Sequence, residues 1–316
     1  MDWLSNLLEI TPVNGRVDIR CAYGAPWRVD FNPLEAGEIP YHVVLRGSAV
    51  IEDPDGGSPQ RLVGGDIVML SSGKPHVLRD GGEAAPKPAR AHAGSHLVVS
   101  ENDGEGERLD MLCGRFILTP PCDRLLLDYL PPRVVVRAPQ PGAAEGGTAA
   151  AALSALVSLL QMESTAENLG GQAMMNALST ALFALTLRVA AVENNAPNGL
   201  LALAGNPRLA PALMAMFQKP AHPWTLPELA DLCHMSRATL ARHFKDRVGR
   251  SAADLLTDIR MTLAASQLRR GGASTGAIGD AVGYQSEAAF QRAFKQRMGV
   301  TPAVWRRATH GAAAEE

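Results

Sequence analysis

The 316-residue sequence predicts an α+β protein in three parts: an N-terminal β-barrel, a helical pair, and a C-terminal all-α region. Three observations predict it. Short β-like runs separated by turn residues fill positions 16 to about 136. From about Ala149 the apolar spacing becomes helical. Beyond Pro207, the segment from Ser236 to Gly249 recurs fifty residues later as Ser286 to Gly299, with Ser, Ala, Arg, Phe, Lys, Arg and Gly in register.

The β-like runs include His42-Val43-Val44-Leu45, Ala49-Val50-Ile51, Asp66-Ile67-Val68-Met69-Leu70 and His96-Leu97-Val98-Val99. Gly, Pro and Asp signals such as Pro54-Asp55-Gly56-Gly57 separate them, which favours a barrel or sandwich. Ala84 to Ser95, rich in Ala, Pro and Gly, reads as a mobile loop, and Ala138 to Gly147 as a linker. The first part therefore spans residues 1–147.

Residues 148–198 read as the helical pair. Leu153, Leu156, Val157 and Leu160 form one apolar stripe; after Gly170-Gly171, Met174, Met175, Leu178, Leu182, Leu185 and Val189 form another. That much apolar surface needs a cover, either the barrel's own face or a second subunit, and a homodimer is expected.

Residues 205–308 read as the helical C-terminal part. Thr225-Leu226-Pro227-Glu228 has the pattern of a capping box, so a helix should run to about Leu232. A tight turn at Cys233 to Met235 then leads to a helix capped by Ser236 and ended by Gly249. Short helix, tight turn and second helix make a helix-turn-helix, whose second helix enters the DNA major groove. Residues 252 to 270 form a connecting helix with Leu255, Ile259, Leu263 and Leu268 inward. Ala277 to Val282 and the helix from Ser286 repeat the arrangement, and Thr301-Pro302 opens a last helix with Pro at its first position.

Charge agrees with this division. The net charge of -2 hides 15 Lys+Arg against 7 Asp+Glu in residues 205–310, and 15 against 23 in residues 1–204. Polyanions should therefore meet the C-terminal part. Cys21, Cys113, Cys122 and Cys233 are too few and too irregular for a disulfide framework or a zinc knuckle. No bilayer-spanning segment is expected, and Met1-Asp2-Trp3-Leu4 lacks a signal-peptide start, which makes a cytoplasmic protein the expectation.

Ala281-Val282-Gly283-Tyr284-Gln285-Ser286, Phe290, Arg292-Ala293-Phe294-Lys295, Gly299, Thr301-Pro302 and Trp305-Arg306 together resemble the fingerprint of the arabinose-regulator (AraC/XylS) family of transcription factors. The resemblance implies two helix-turn-helix units on a stiff helix, reading successive major grooves of double-stranded DNA, with RNA polymerase as a partner and activation as the outcome. Gly65, Ser71, Gly73, Pro75-His76 and Asp80 resemble the second motif of a cupin sensor domain. Cys113-Gly114-Arg115-Phe116 and Leu125 to Pro132 are similar to the branch of the family that carries one. The first cupin motif departs: only His42 lies in the corresponding stretch, without the His and Glu partners of a catalytic metal site. In the first head, His234 occupies the turn position where the family prefers Gly, a mild strain at positive φ.

The resemblance places Arg237, Ala238, Ala241, Arg242 and Lys245 of the first head, and Glu287, Ala288, Gln291, Arg292 and Lys295 of the second, toward DNA. Arg242 and Arg292 suit guanine O6 and N7, or else phosphate; Lys245 and Lys295 suit phosphate; the alanines can touch only thymine methyls. Leu240, Phe244, Phe290 and Phe294 fall on the inner face and read as core. In the barrel, His42, His76, Cys21 and Cys113 are candidates for sensing. The histidines either bind an effector, or a metal with help from Cys113, or are satisfied barrel residues. The cysteines are either oxidant-sensing thiols, as in regulators of that branch, or buried structural residues. His92 and His96 share helical ligand spacing in a loop-like segment, where it carries little weight. Residues 276–283 have glycines without a phosphate-loop lysine or a preceding strand, and form no nucleotide cradle.

The expected function is a DNA-binding regulator controlled by a small molecule or oxidant, with no catalytic residue and no cofactor. The competing classes are a metal-dependent cupin enzyme with a regulatory DNA-binding tail and an architectural DNA-binding protein without effector.

Overall fold

The computed structural model describes residues 2–52, 58–118, 124–137, 148–192 and 198–312. The turn at Pro54 to Gly57, Cys122, the linker Ala138 to Gly147, and Asn194 to Pro197 fall outside them. In chain order, helix α1 (Trp3–Ile10) precedes strands β1 (Val13–Gly24), β2 (Arg28–Phe31), β3 (Glu38–Arg46), β4 (Ser48–Glu52), β5 (Gln60–Val63), β6 (Asp66–Met69), β7 (His76–Arg79), β8 (Ala89–Ala93), β9 (Val98–Asn102) and β10 (Arg108–Leu118). Helix α2 (Arg124–Tyr129) and strand β11 (Val134–Arg137) follow, then α3 (Thr148–Thr165) and α4 (Gly171–Val192). The remainder is helical: α5 (Gly199–Ala204), α6 (Ala210–Gln218), α7 (Leu226–Leu232), α8 (Arg237–Val248), α9 (Ala252–Arg270), α10 (Thr275–Ala281), α11 (Glu287–Met298) and α12 (Pro302–Ala312).

These elements form two compact units that are not continuous in sequence. One comprises Val13–Leu118 and Pro131–Asn195; the other comprises Met1–Pro12, Thr119–Leu130 and Ala196–Glu316.

The first unit is the barrel. A seven-stranded sheet in the order β11-β6-β3-β10-β1-β9-β8 faces a four-stranded sheet in the order β2-β7-β4-β5. All pairings are antiparallel except that of β1 with β9. Beyond the register shift after Val17, alternation along β1 turns Cys21 and Tyr23 inward. Val44, Ile51, Leu62, Val68, Leu78 and Met111 complete a core that also holds Cys113. The expected mobile loop at Ala84 to Ser95 is corrected: Ala89–Ala93 is a strand paired with β9, exposed throughout at the sheet edge. Backbone pairing, not apolar content, makes it a strand, so composition could not show it.

Helices α3 and α4 pack together, and α4 lies on β1. The first predicted stripe is buried as expected. The second is corrected in part: Met175, Leu182 and Val189 are buried as expected, but Met174 is 53% exposed and Leu178 and Leu185 are half-buried, while Ser179, Phe183, Thr186 and Leu187 face inward. Polar contacts set that rotation. Thr180 accepts a hydrogen bond from the Gly15 amide at 2.8 Å, and Ser179 pairs with the Tyr41 hydroxyl at 2.7 Å. Gly15 permits the approach, since a Cβ there would strike the Ser179 backbone. By length and composition α4, with a mean hydropathy of 1.5, meets the requirement for a membrane span, contrary to the expectation that no segment would. Half of that stretch is buried against protein, which accounts for its apolar character.

The second unit is helical. Its second half is built around Met261, Ala265, Leu268, Ile278, Phe290, Phe294 and Trp305. Helix α9 runs along both halves, burying Leu255, Ile259 and Leu268. Helix α1 belongs to this unit and packs on α6, with Trp3 and Phe217 rings 6.4 Å apart.

Candidate nucleic-acid interface and sensor core

Local chemistry builds the first head. Thr225 and Glu228 form the reciprocal capping box that starts α7. The chain turns at His234, with φ 50°, and Ser236 caps α8 by accepting from the Thr239 amide at 3.1 Å. Gly249 closes α8 in the left-handed conformation, φ 74°. The second head uses the same devices: Ser274 caps α10, Ser286 caps α11, and Gly299 ends it at φ 81°. The turns differ by one residue. The Met235 amide bonds the Ala230 carbonyl and the Tyr284 amide bonds that of Gly279, a separation of 49, whereas the caps Ser236 and Ser286 are 50 apart. Gln285 is the extra residue. Gly283, φ +87°, is the counterpart of His234, and a Cβ there would collide with the Ala221 carbonyl. His234 is exposed at its turn, so an imidazole is accommodated at modest strain.

Arg237, Ala238, Ala241, Arg242 and Lys245 are all exposed on α8, as are Glu287, Ala288, Gln291, Arg292 and Lys295 on α11. Leu240, Phe244, Phe290 and Phe294 are fully buried, so each helix has a dry inner face and a polar outer one. Among the described residues, Arg237, Arg242 and Arg292 have no ion-pair partner, leaving their guanidinium groups open to an incoming anion. The Gln291 amide donates to Glu287 at 2.9 Å, which orients both side chains.

The barrel brings the four sensing candidates together as two pairs. His42 on β3 lies opposite Cys113 on β10, and Phe31 on β2 lies opposite His76 on β7. The His42 and His76 Nε2 atoms are 2.7 Å apart. Because His76 Nδ1 faces the Lys74 carbonyl at 3.2 Å, that nitrogen must donate. His76 Nε2 then accepts from His42 Nε2–H, and among the described residues His42 Nδ1 is left as a buried acceptor without a partner. Phe31, which the sequence reading missed, stacks on His76 at 4.8 Å and 5° and tilts against His42 at 4.6 Å. Its only signal was the alternation of the short run Arg28 to Phe31.

Burial, reinforced by His76, holds His42 well below the ordinary imidazole range. A pH effect follows from the sign. In the unfolded chain His42 binds a proton below about pH 6.5, while in the fold it remains neutral to much lower pH, so stability is complete above that value and declines as pH falls. Urea unfolding of the wild type should lose about 1 kcal/mol per pH unit on acidification below pH 6.5 from this group. His42→Asn should flatten that slope; equal slopes in the two proteins would remove the argument.

Cys21 and Cys113 are buried, with sulfurs 3.9 Å apart. The Cys113 thiol hydrogen bonds to Cys21 and holds it below the usual thiol range, whereas burial pushes Cys113 well above it. Cys21 is therefore the more ionisable of the pair. Cys21 faces Met111 and Cys113 faces Ile19, so the two are diagonal neighbours. Diagonal neighbours stand about 7–8 Å apart, somewhat less between Cβ atoms, and a disulfide needs Cβ atoms about 3.8 Å apart. Joining these sulfurs would therefore require strand movement. Among the described residues no group of three or more His, Cys, Asp or Glu is assembled as a metal site.

Comparison with known proteins places these features in a family. A cupin family model matches residues 2–191, and a helix-turn-helix domain model matches residues 229–308. An AraC-like transcription regulator of Streptomyces antibioticus is 32% identical over 308 residues, covering 97% of this chain and 99% of that protein. The RCS-specific HTH-type transcriptional activator RclR of Escherichia coli is 29% identical over 306 residues, covering 97% of each. Among solved structures, the C-terminal domain of AraT, a response regulator from Geobacillus stearothermophilus, is 33% identical over 33% of this chain and 86% of that one, with a TM-score of 0.30. The chain belongs to the AraC family of DNA-binding transcriptional regulators, with an N-terminal cupin domain.

Proposed function

We propose that this regulator is an oxidant-controlled activator, in which reaction at Cys21 changes the barrel and thereby the affinity of α8 and α11 for an operator. The observation that carries the reading is the buried Cys21–Cys113 contact beside the His42–His76 pair, with Cys21 the more acidic thiol. The diagonal placement of the cysteines supports it: a disulfide formed between them by a two-electron oxidant cannot leave the strands where they are. The name of the Escherichia coli relative, "RCS-specific", is consistent with a chemical trigger. A small-molecule effector held by His42 and His76 is the second reading, favoured by the unpartnered His42 Nδ1. In either case the effector must stabilise one arrangement over another, since equal binding to both shifts nothing.

The protein acts in the cytoplasm as a homodimer that engages RNA polymerase. Support for the dimer is the outer face of α3 and α4, where Leu159, Met162 and Met174 are exposed beside Ala151, Ala155, Ala177 and Ala181. The relatives named as regulators support a role without catalysis. Elemental analysis separates the alternative: stoichiometric iron or manganese in purified protein would favour a metal-dependent cupin enzyme.

The direct test titrates operator binding of full-length protein before and after hypochlorite. Wild type should change affinity about tenfold, equivalent to about 1.4 kcal/mol of coupling, and Cys21→Ser should not respond. A Cys21→Ser response equal to wild type would remove the oxidant reading.

A further inference from the structure

One carboxylate joins the ends of both recognition helices. Asp258 on α9 accepts from Arg250 Nη1 at 3.2 Å through Oδ2, and its Oδ1 lies 3.2 Å from Arg297 Nη1. Arg250 follows Gly249, the residue that ends α8, and Arg297 lies in the last turn of α11. Arg297 is held again by Asp254 at 2.6 Å. The Asp258 side chain is only 13% exposed, so these contacts are shielded from water and salt more than ordinary surface pairs.

The remaining partners come from α2, which lies between β10 and β11 in sequence and inside the segment matched by the cupin family model. The Tyr129 hydroxyl donates to Asp258 Oδ2, and burial together with that carboxylate disfavours its ionisation. Asp128 takes Arg250 Nη2 at 2.9 Å, and the Arg250 guanidinium lies 5.2 Å over the Tyr129 ring. Arg124 donates to the Arg297 carbonyl at 2.7 Å. Helix α2 thus touches both arginines that anchor the recognition helices to α9.

Leu125, Leu126 and Tyr129 are buried, so α2 is seated by apolar contact and oriented by charge. A short helix of six residues cannot hold itself in water, and its order comes from this packing.

We propose that Tyr129 and Asp128 are positioning residues for DNA recognition: through Asp258, Arg250 and Arg297 they fix the spacing and angle between α8 and α11, and so the distance between the two boxes the protein reads. The proposal rests on both helices entering DNA. A two-headed reader with a rigid hub rejects operators whose boxes are displaced, because each added base pair rotates the second box around the duplex; a reader with a loosened hub tolerates them.

The test uses full-length protein and a duplex selected by it from a random-sequence library, then rebuilt with one or two base pairs added between the boxes. Wild type should bind the native spacing far better than the altered ones. Tyr129→Phe, which removes one hydroxyl, and Asp258→Asn should each cut that preference about tenfold while single-box duplexes bind as in wild type. A general loss of folding would weaken single-box binding too, and Tyr129→Phe with unchanged urea unfolding guards against that. If wild type has a spacing preference and both variants retain it in full, the proposal falls alone. If wild type has none, the two-headed reading fails and takes the proposal with it.

Discussion

Arg242→Ala combined with Arg292→Ala should abolish sequence-selective operator binding while leaving nonspecific DNA binding largely in place. Each guanidinium stands exposed on the outer face of its recognition helix and, among the described residues, has no ion-pair partner. An Arg–guanine bidentate contact is worth about 1–3 kcal/mol of discrimination, so losing two costs about 2–6 kcal/mol, or from about thirtyfold to more than ten-thousandfold in preference. Ala238, Ala241 and Ala288 on the same faces offer only methyl contact. Competition between the selected operator and random duplex at fixed salt gives the result. The slope of log affinity against log salt separates the two roles, because loss of two phosphate contacts would shallow it by about 2 units, whereas loss of base contacts leaves it unchanged. Unaltered promoter selectivity in the double variant would overturn the placement of the reading face.

The largest effect on stability is expected from Phe294→Ala. Phe294 is fully buried, with its ring edge-on to Trp305 at 5.4 Å and 87° and to Phe290 at 5.7 Å. Truncating a buried Phe costs about 3–5 kcal/mol, a large part of the 5–15 kcal/mol that holds a typical domain together. The second head should therefore open locally, exposing α10 and α11 to hydrogen exchange and reducing DNA binding to what the first head provides. Leu240→Ala should cost about 2–5 kcal/mol in the first head by the same route, because that residue is equally buried. Urea unfolding with exchange protection on α11 checks both; full protection of α11 in Phe294→Ala would contradict the packing argument.

The two heads were legible because what builds them is local. Thr225 with Glu228, Ser236, Ser286, Gly249 and Gly299 each satisfy or terminate a backbone within four residues, and such signals survive in a single sequence. Inner and outer faces followed from helical period. The rotation of α4 was not legible, since hydrogen bonds with Gly15 on β1 and Tyr41 on β3, far away in sequence, turned Thr180 and Ser179 toward the sheet against the apolar pattern. Strand β8 was hidden for a related reason: its only support is pairing with β9, and nothing in its own residues is buried.

The amino-acid sequence alone determined the helix-turn-helix units, their exposed basic face and the sheet-rich N-terminal half. Only the tertiary structure decided that His42 meets His76 across two sheets, that Cys21 and Cys113 sit diagonally, and that α2 seats itself against α9 and α11. The physical reason is range. Caps, turns and helical faces are settled by neighbours a few residues apart, whereas strand register and the pairing of buried charges depend on which distant segments exclude water together, and that is fixed only when the chain closes on itself.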